Sequence, residues 1–366
     1  MRVLVIHDGG SSGGIFRFLE RLLAIHRDRG IDSALLIPEK LFDPAFAELG
    51  ATFSVPVWKR SNRNRAGTLP FLTPCWDFLF SWRAVRTWQP DVIVVSTADP
   101  GRMSIAMFYP RPVLYVLHTI PDRQFSFPAR LYLRLGTWLD KNTVVAVSHA
   151  AAALVSSHMG VLRSKVAVVY NSCKTVPEVK RERQPLVLTA GHLVSYKNPD
   201  AWLMVARQVL RQRPDVSFVW LGDGELLEPL RQRVKTLGLD DRIILPGYVA
   251  EPGEWYVKAQ LYFQPSLKES HGIAVLEAMA YGLPCVVARV GGLPESVIDG
   301  GTGFVCHPTE SEAFVARILE LLGDPALCER FGEFGRLRAG SRFSEEEQEL
   351  HIMNLYARLM QGSGRP

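Results

Sequence analysis

Short apolar runs rich in β-branched residues recur along the chain, separated by longer stretches of helical periodicity. In the first half they are VLVI (3–6), ALLI (34–37), VIVV (92–95), VLYVL (113–117), VVAV (144–147) and VAVV (166–169). In the second they are LVLTA (186–190), SFVWL (217–221), RIIL (242–245), LYFQ (261–264), CVVA (285–288) and a weaker GFVC (303–306). Strands apolar at consecutive positions are buried on both faces, and their alternation with helices predicts parallel sheets covered on each side. Each half therefore reads as a doubly wound α/β domain. Between them SCKTVPEVKRERQP (172–185) is charged, proline-bearing and without hydrophobic period, as a linker would be. The first domain is expected over 1–172 and the second over 186–345, with a C-terminal helix over 346–366 packing back toward the first. Open parallel sheets bind ligands beyond the C-terminal ends of their strands, so a site is expected in the cleft between two such domains.

One stretch stands out on that scaffold. After the strand LYFQ comes the turn-rich PSLKESHG, then IAVLEAMAYG, which favours helix until Gly282 and Pro284 end it. Glu269 falls in the loop and Glu277 inside the helix. The first turn, around Ser270, His271, Gly272 and Ile273, would offer backbone N–H groups and the positive end of the helix dipole, which suits a phosphate. Glu277, one to two turns further on, can accept hydrogen bonds from vicinal hydroxyls such as those of a ribose, and Glu269 can reach a sugar beyond the phosphates. Taken alone, the two glutamates would equally suit a loop cap and a solvated helix position.

The wider segment PSLKESHGIAVLEAMAYGLPCVVARVGGLPESVIDGGTGFVC (265–306) resembles the signature region of the retaining family 4 glycosyltransferases with the GT-B fold. It carries the E-x7-E pair, the EAMA-x-GLP turn, the GG-x-x-E segment and the DG-x-TG hairpin. LGDGELLEPL (221–230) and GLDDRIILPGYV (238–249) resemble further family segments in the expected order. The resemblance implies two Rossmann-like domains, the second holding a nucleotide-diphosphate sugar and the first presenting the acceptor. It implies that Glu277 binds the ribose hydroxyls and that Glu269 lies at the transferred sugar. Lys197, in GHLVSYKN, matches the lysine that contacts the donor diphosphate, where a cation offsets charge on the leaving group. At position 192 the family commonly has an arginine, and here stands His192, whose neutral imidazole does not replace a bidentate guanidinium. His118, ending VLYVLHT, matches a histidine placed near the sugar, able to hydrogen-bond a hydroxyl or help the acceptor lose its proton.

Two further features come from the first domain. Gly13 and Gly14 follow the first strand and open a helix, where backbone approaches a ligand closely. Ser148 reads as a helix N-cap. No D-x-D sequence is present to hold a metal under a diphosphate, so no metal and no cofactor are expected, with Lys197 and the helix end replacing the cation. The expected reaction is transfer of a hexose-type sugar to an acceptor hydroxyl through an oxocarbenium-like state with retained configuration, in cell-surface glycan or glycolipid synthesis. The rival readings are a nucleotide-sugar epimerase on the same fold and a catalytically decayed membrane-surface binding module. A dehydrogenase reading GDGELL as a dinucleotide loop lacks the third glycine.

Composition adds location. With 47% hydrophobic and 22% charged residues the chain is an ordinary globular one, and its five dispersed cysteines read as buried small residues in a reducing compartment. The N-terminus lacks a signal-peptide core and no apolar run reaches membrane-spanning length, which gives a cytoplasmic expectation. The net charge of +5 is uneven, with an excess of basic residues over 1–172. Part of it lies in 58–88, a basic cluster joined to seven aromatic residues including Trp76, Phe80, Trp82 and Trp88. That segment is the expected contact with an anionic membrane surface at the inner face or with a lipid-linked acceptor. No nucleic-acid module is recognisable.

Overall fold

The computed structural model describes residues 1–11, 13–60, 73–97, 104–120, 127–139, 141–176 and 183–362. The chain divides into two compact units, one of Met1–Tyr170 with Gln348–Pro366 and the other of Asn171–Glu347. The division between Tyr170 and Asn171 precedes the expected linker 172–185, of which 177–182 lie outside the described residues.

Unit 1 holds seven parallel strands: β1 (Arg2–Asp8), β2 (Asp32–Pro38), β3 (Val57–Arg60), β4 (Val92–Thr97), β5 (Val113–Leu117), β6 (Thr143–Ala146) and β7 (Val166–Val168). Their spatial order is β3-β2-β1-β4-β5-β6-β7. Six were legible as apolar runs. The seventh, β3, reads VWKR and is the edge strand of the sheet among the described residues, a position where polar residues are tolerated. The helices are α1 (Gly13–Asp28), α2 (Pro44–Phe53), α3 (Thr73–Trp88), α4 (Phe127–Gly136) and α5 (His149–Met159). Alternate strand residues feed two cores: Leu4, Ile6, Ile93 and Tyr115 on one face, Val3, Val5, Val94 and Leu114 on the other.

Unit 2 holds six parallel strands: β8 (Leu186–Ala190), β9 (Ser217–Leu221), β10 (Ile243–Gly247), β11 (Leu261–Gln264), β12 (Cys285–Ala288) and β13 (Gly303–Cys306), ordered β10-β9-β8-β11-β12-β13. Around them lie α6 (Pro199–Gln212), α7 (Leu227–Thr236), α8 (Gly253–Lys258), α9 (Ile273–Ala280), α10 (Leu293–Ser296), α11 (Ser311–Gly323) and α12 (Pro325–Arg342). In both sheets the order reverses beside the first strand, which leaves a crevice at the strand C-termini.

The last helix, α13 (Glu345–Gly362), sends Ile352, Leu355, Tyr356 and Leu359 into the core of unit 1. His26 of α1 fixes it there. Its Nδ1 meets Ser33 Oγ at 2.7 Å and its Nε2 meets Tyr356 Oη at 2.8 Å, so one buried imidazole ties α1, β2 and α13. Burial pushes its pKa down to about 3, which keeps the ring neutral.

Candidate functional site

In unit 2 the register Ala190↔Leu221 brings the ends of β8 and β9 level. The chain turns away from both strands at once, and the turns touch backbone to backbone. A side chain on Gly222 (φ +151°) would fall on the carbonyl of Gly191, so only glycine fits there. That carbonyl accepts from Trp220 Nε1 at 2.9 Å. Beside them Thr189 Oγ1, itself donating to Phe263 O at 2.7 Å, accepts from Trp202 Nε1 at 2.7 Å.

The turn before α6 is laced to the loop after β11. Asn198 caps α6 through Ala201 N–H at 3.4 Å and donates from Nδ2 to Pro265 O at 3.2 Å. Leu267 N–H donates to Tyr196 O at 2.7 Å. Between these contacts Lys197 Nζ forms an ion pair and hydrogen bond with Glu269 Oε2, and the two side chains are only 14% and 12% exposed. Gln264 Nε2 donates to the same carboxylate oxygen at 2.7 Å, and Tyr262 Oη donates to Gln264 Oε1 at 2.9 Å. The carboxylate of Glu269 is therefore held from two sides.

Helix α9 begins just beyond. Gly272 is its N-cap at φ +88°, and a Cβ there would lie 2.7 Å from Leu293 Cδ2. The helix ladder starts with Val275 N–H on Gly272 O at 3.0 Å, so the first N–H groups are the helix's orphan donors. Glu277 accepts from Tyr256 Oη at 3.2 Å, and Tyr256 stacks on Tyr281 with centroids 5.1 Å apart. The His271 side chain points inward against Phe343, 5.4 Å between rings, and burial pushes its pKa down to about 3. Only the backbone of His271 can serve a ligand. His192 is exposed on the turn after β8.

In unit 1 the register does similar work. His7 pairs with Ser96 across β1 and β4, Thr97 pairs with Leu117 across β4 and β5, and His118 is the next residue on. Ser96 Oγ consequently bridges His7 Nδ1 at 3.2 Å and His118 Nε2 at 3.1 Å. Burial pushes His7 down to about 4, and burial together with its neighbour His7 pushes His118 down to about 3. With both rings neutral, the single hydroxyl proton goes to one ring and the other ring donates. Phe18 packs edge-on to His118 at 4.7 Å. Gly13 (φ +73°) and Gly14 are exposed at the start of α1. Ser148 caps α5, accepting from Ala151 N–H at 3.0 Å, as its position suggests.

The structure thus brings Lys197, Glu269 and the start of α9 into one neighbourhood of unit 2 and sets His118 at a strand end of unit 1. Sequence reasoning missed Gln264, Tyr262 and Tyr256 around the carboxylates, and Ser96 and His7 behind His118. A polar residue closing an apolar strand, as in LYFQ, VIVVS and VLVIH, was the available signal.

Of the aromatic residues of 58–88, the described ones meet the core of unit 1. Trp58 and Trp88 meet edge to face at 5.5 Å, Trp82 stacks on Tyr109 at 6.1 Å, and all three pack against the unit 1 core. These rings serve the core because α3 must cover the sheet. Residues 61–72 and the side chains of Trp76 and Phe80 lie outside the described residues. Among the described residues no helix is long and apolar enough to cross a membrane. Nor do three or more His, Cys, Asp or Glu gather as metal ligands among them.

Comparison with known proteins supplies the family. Residues 12–176 match the profile of Glycosyltransferase Family 4, and residues 174–338 match that of Glycosyl transferases group 1. N-acetyl-alpha-D-glucosaminyl L-malate synthase of Bacillus anthracis is 34% identical over 133 residues, which are 36% of this chain and 35% of that protein. The GDP-mannose-dependent alpha-(1-6)-phosphatidylinositol monomannoside mannosyltransferase of Mycolicibacterium smegmatis is 32% identical over 163 residues, 42% of each protein. The chain spans well under half the length of these curated relatives. Among solved structures, Anabaena HepE in complex with UDP and glucose superposes with a TM-score of 0.79 at 24% identity, covering 98% of this chain and 99% of that one. A glycosyltransferase from Rickettsia africae gives 0.80 at 15% identity, covering 98% of each. These likenesses show the fold, two parallel-sheet Rossmann-like domains of the GT-B type. With each half matched by its own profile, the chain belongs to the family 4, group 1 glycosyltransferases.

Proposed function

We propose that this protein is a retaining glycosyltransferase that moves a hexose-type sugar from a nucleotide-diphosphate sugar to an acceptor hydroxyl, in cell-surface glycan or glycolipid synthesis. The observation that carries the reading is the Lys197–Glu269 pair set beside the glycine-opened start of α9, with Glu277 further along the same helix. A cation and orphan N–H groups suit a diphosphate, while the two carboxylates suit sugar hydroxyls on either side of it. Nucleotide complexes of the Anabaena neighbour, with UDP and with UDP-glucose, support the choice of donor class.

In the proposed step the bond between the anomeric carbon and the diphosphate oxygen breaks, and its electron pair leaves with the nucleotide. Lys197 and the first N–H groups of α9 stabilise the charge that grows there, a preorganised field that needs no rearrangement as the bond breaks. His192 borders the same turn. Glu277 takes the ribose hydroxyls, and Glu269 lies at the sugar as it passes through the oxocarbenium-like state. A new bond forms from the acceptor oxygen on the face the nucleotide leaves, and the acceptor proton is released. Within unit 1, His118 is the proposed partner of a sugar or acceptor hydroxyl, and Gly13 and Gly14 give close backbone approach. The acceptor is proposed to be a glycan or lipid-linked glycan. Catalysis is proposed to be metal-independent, with the lysine and helix end in the role of a cation.

The test is a thermal-shift screen over UDP, GDP and ADP sugars, followed by transfer assays with the radiolabelled donor that stabilises the protein. One nucleotide class should raise the melting temperature, EDTA should leave transfer unchanged, and the product should keep the donor's anomeric configuration by NMR. Free nucleotide with inverted product would refute retention. No stabilisation by any nucleotide sugar would remove the donor site.

A further inference from the structure

Helix α4, FPARLYLRLG, and the turn that follows it have one buried side and one whose described side chains are exposed. Leu133, Gly136 and Thr137 face inward, and Tyr132 packs edge-on to Phe108 at 6.2 Å. Phe127, Arg130, Leu131, Arg134, Leu135 and Trp138 are exposed, and their spacing of three and four residues puts them on a single face. Phe127 is 71% and Trp138 65% exposed, values at which a stray apolar contact with the core no longer explains large rings. Arg134 lies across Gly160, where a Cβ would come 3.5 Å from its Cδ, so the loop carrying the 59%-exposed Leu162 borders the same face. A surface helix ordinarily turns polar residues outward, and a contiguous apolar patch marks a contact surface.

Charge says which contact. Residues 104–170 contain seven Lys and Arg against two Asp, a net +5 equal to that of the whole chain. Among the described residues neither Arg130 nor Arg134 enters an ion pair. We propose that this face of α4 docks on an anionic lipid bilayer, with Phe127 and Trp138 at the headgroup boundary, Leu131 and Leu135 at the acyl edge, and Arg130 and Arg134 on lipid phosphates. Guanidinium groups interleaved with leucines need phosphate and hydrocarbon at one depth, which a bilayer interface offers over its whole area. A second copy of this chain in a two-fold contact would bring like-charged arginines together. The helix lies in the interface and is too short to cross it. The proposal stands apart from the donor chemistry of unit 2.

The experiment is co-sedimentation of the full chain with vesicles of phosphatidylcholine alone and of phosphatidylcholine mixed with phosphatidylglycerol, across a salt series. Wild type should bind the mixed vesicles and release with salt, since surface attraction is screened over about 8 Å at physiological ionic strength. The double variant R130E/R134E should lose roughly tenfold or more in partitioning, as each basic residue near such a surface counts for about 1 kcal/mol. Leu131→Asp with Leu135→Asp should lose binding even at low salt, and R130K/R134K should keep most of it. All three should retain the melting temperature and nucleotide response of wild type, because the replaced side chains are exposed. Absence of wild-type binding to mixed vesicles would overturn the proposal. So would unchanged partitioning of R130E/R134E, or concentration-dependent dimers that vanish with the leucine variants while vesicle binding persists.

Discussion

Replacing Glu269 by glutamine separates two things the Lys197–Glu269 pair does. Before donor binds, the pair is locally neutral and mostly shielded from water. The amide keeps the shape and can still accept from Gln264 Nε2, which reaches the carboxylate at 2.7 Å, so the loop should hold. What changes is charge. An incoming diphosphate then meets an unopposed ammonium and no carboxylate. With an effective dielectric near 20 to 40 and a carboxylate-to-phosphate separation of about 7 Å, relief of that repulsion is roughly 1–2 kcal/mol. Nucleoside diphosphate should therefore bind about 5- to 30-fold tighter at low salt, and the gain should shrink as salt is added. Turnover should move the other way, by about a hundredfold or more if the charge works at the oxocarbenium-like sugar. Loss of a partly shielded ion pair should also cost about 1 kcal/mol, some 2–4 °C in the melting of unit 2 without ligand. Calorimetric titration with the nucleotide found by thermal shift, beside steady-state kinetics, reads all three. Affinity that stays level or falls in a folded variant would show that the diphosphate does not meet this pair. Wild-type turnover would reject Glu269 at the sugar.

Three other outcomes are expected. Glu277→Ala should weaken nucleotide binding by about tenfold, the scale of a charge-assisted hydrogen bond, with unit 2 still folded; unchanged affinity in titration would reject the ribose role. His192→Arg should tighten nucleotide diphosphate binding by about three- to tenfold if the exposed turn after β8 faces the phosphates, and parallel salt titrations of variant and wild type would show that it does not. Unit 1 should be the more acid-labile unit, because burial holds His7 near 4 and His26 and His118 near 3 against 6.5 in the unfolded chain, three such rings against one, His271, in unit 2. The unfolded chain takes up protons first, so this stability is full above pH 6.5 and drains as pH falls toward 4, by up to roughly 4 kcal/mol per pH unit for the three rings. Hydrogen exchange between pH 7 and 4.5 should lose protection in unit 1 peptides before unit 2, and the reverse order would refute the assignment.

The fold was legible because its strands are buried on both faces. VLYVL, LVLTA, SFVWL, LYFQ, CVVA and GFVC coincide with β5, β8, β9, β11, β12 and β13 to the residue. β3 escaped because an edge strand needs no apolar run, and the inward packing of Trp82 and Trp88 escaped because periodicity does not say whether an amphipathic face meets a core or a membrane. Around Glu269 and Glu277 the acids themselves were visible from spacing, as was the helix that carries one of them. Their fastening was not. Gln264 reaches Glu269 across five positions, Lys197 across seventy-two, and Tyr256 reaches Glu277 across twenty-one. Such pairings are set by strand register, which a single sequence does not display. The exposed face of α4 was hidden for a related reason: its leucines are indistinguishable in sequence from those of any core helix until the structure shows which side is covered.

The two units place chemically different groups at equivalent points of the same fold. Where β1, β4 and β5 of unit 1 end, the polar groups are His7, Ser96 and His118, and burial keeps the two rings neutral. Where β8 and β11 of unit 2 end, a lysine and a glutamate form an ion pair in a lattice of amide and phenol hydrogen bonds. A neutral imidazole chain is poor at holding an anion but well suited to hydroxyl partners, since one ring can donate while the other accepts. A charged pair has the opposite balance, because either member can be drawn toward a phosphate or a developing carbocation. On the proposed reading this is a division by charge: unit 2 handles the leaving diphosphate and the electron-poor sugar, and unit 1 handles uncharged hydroxyls. It follows that a phenylalanine in place of His118 should impair use of acceptor while leaving nucleotide affinity in place, the reverse of what loss of Glu277 should do.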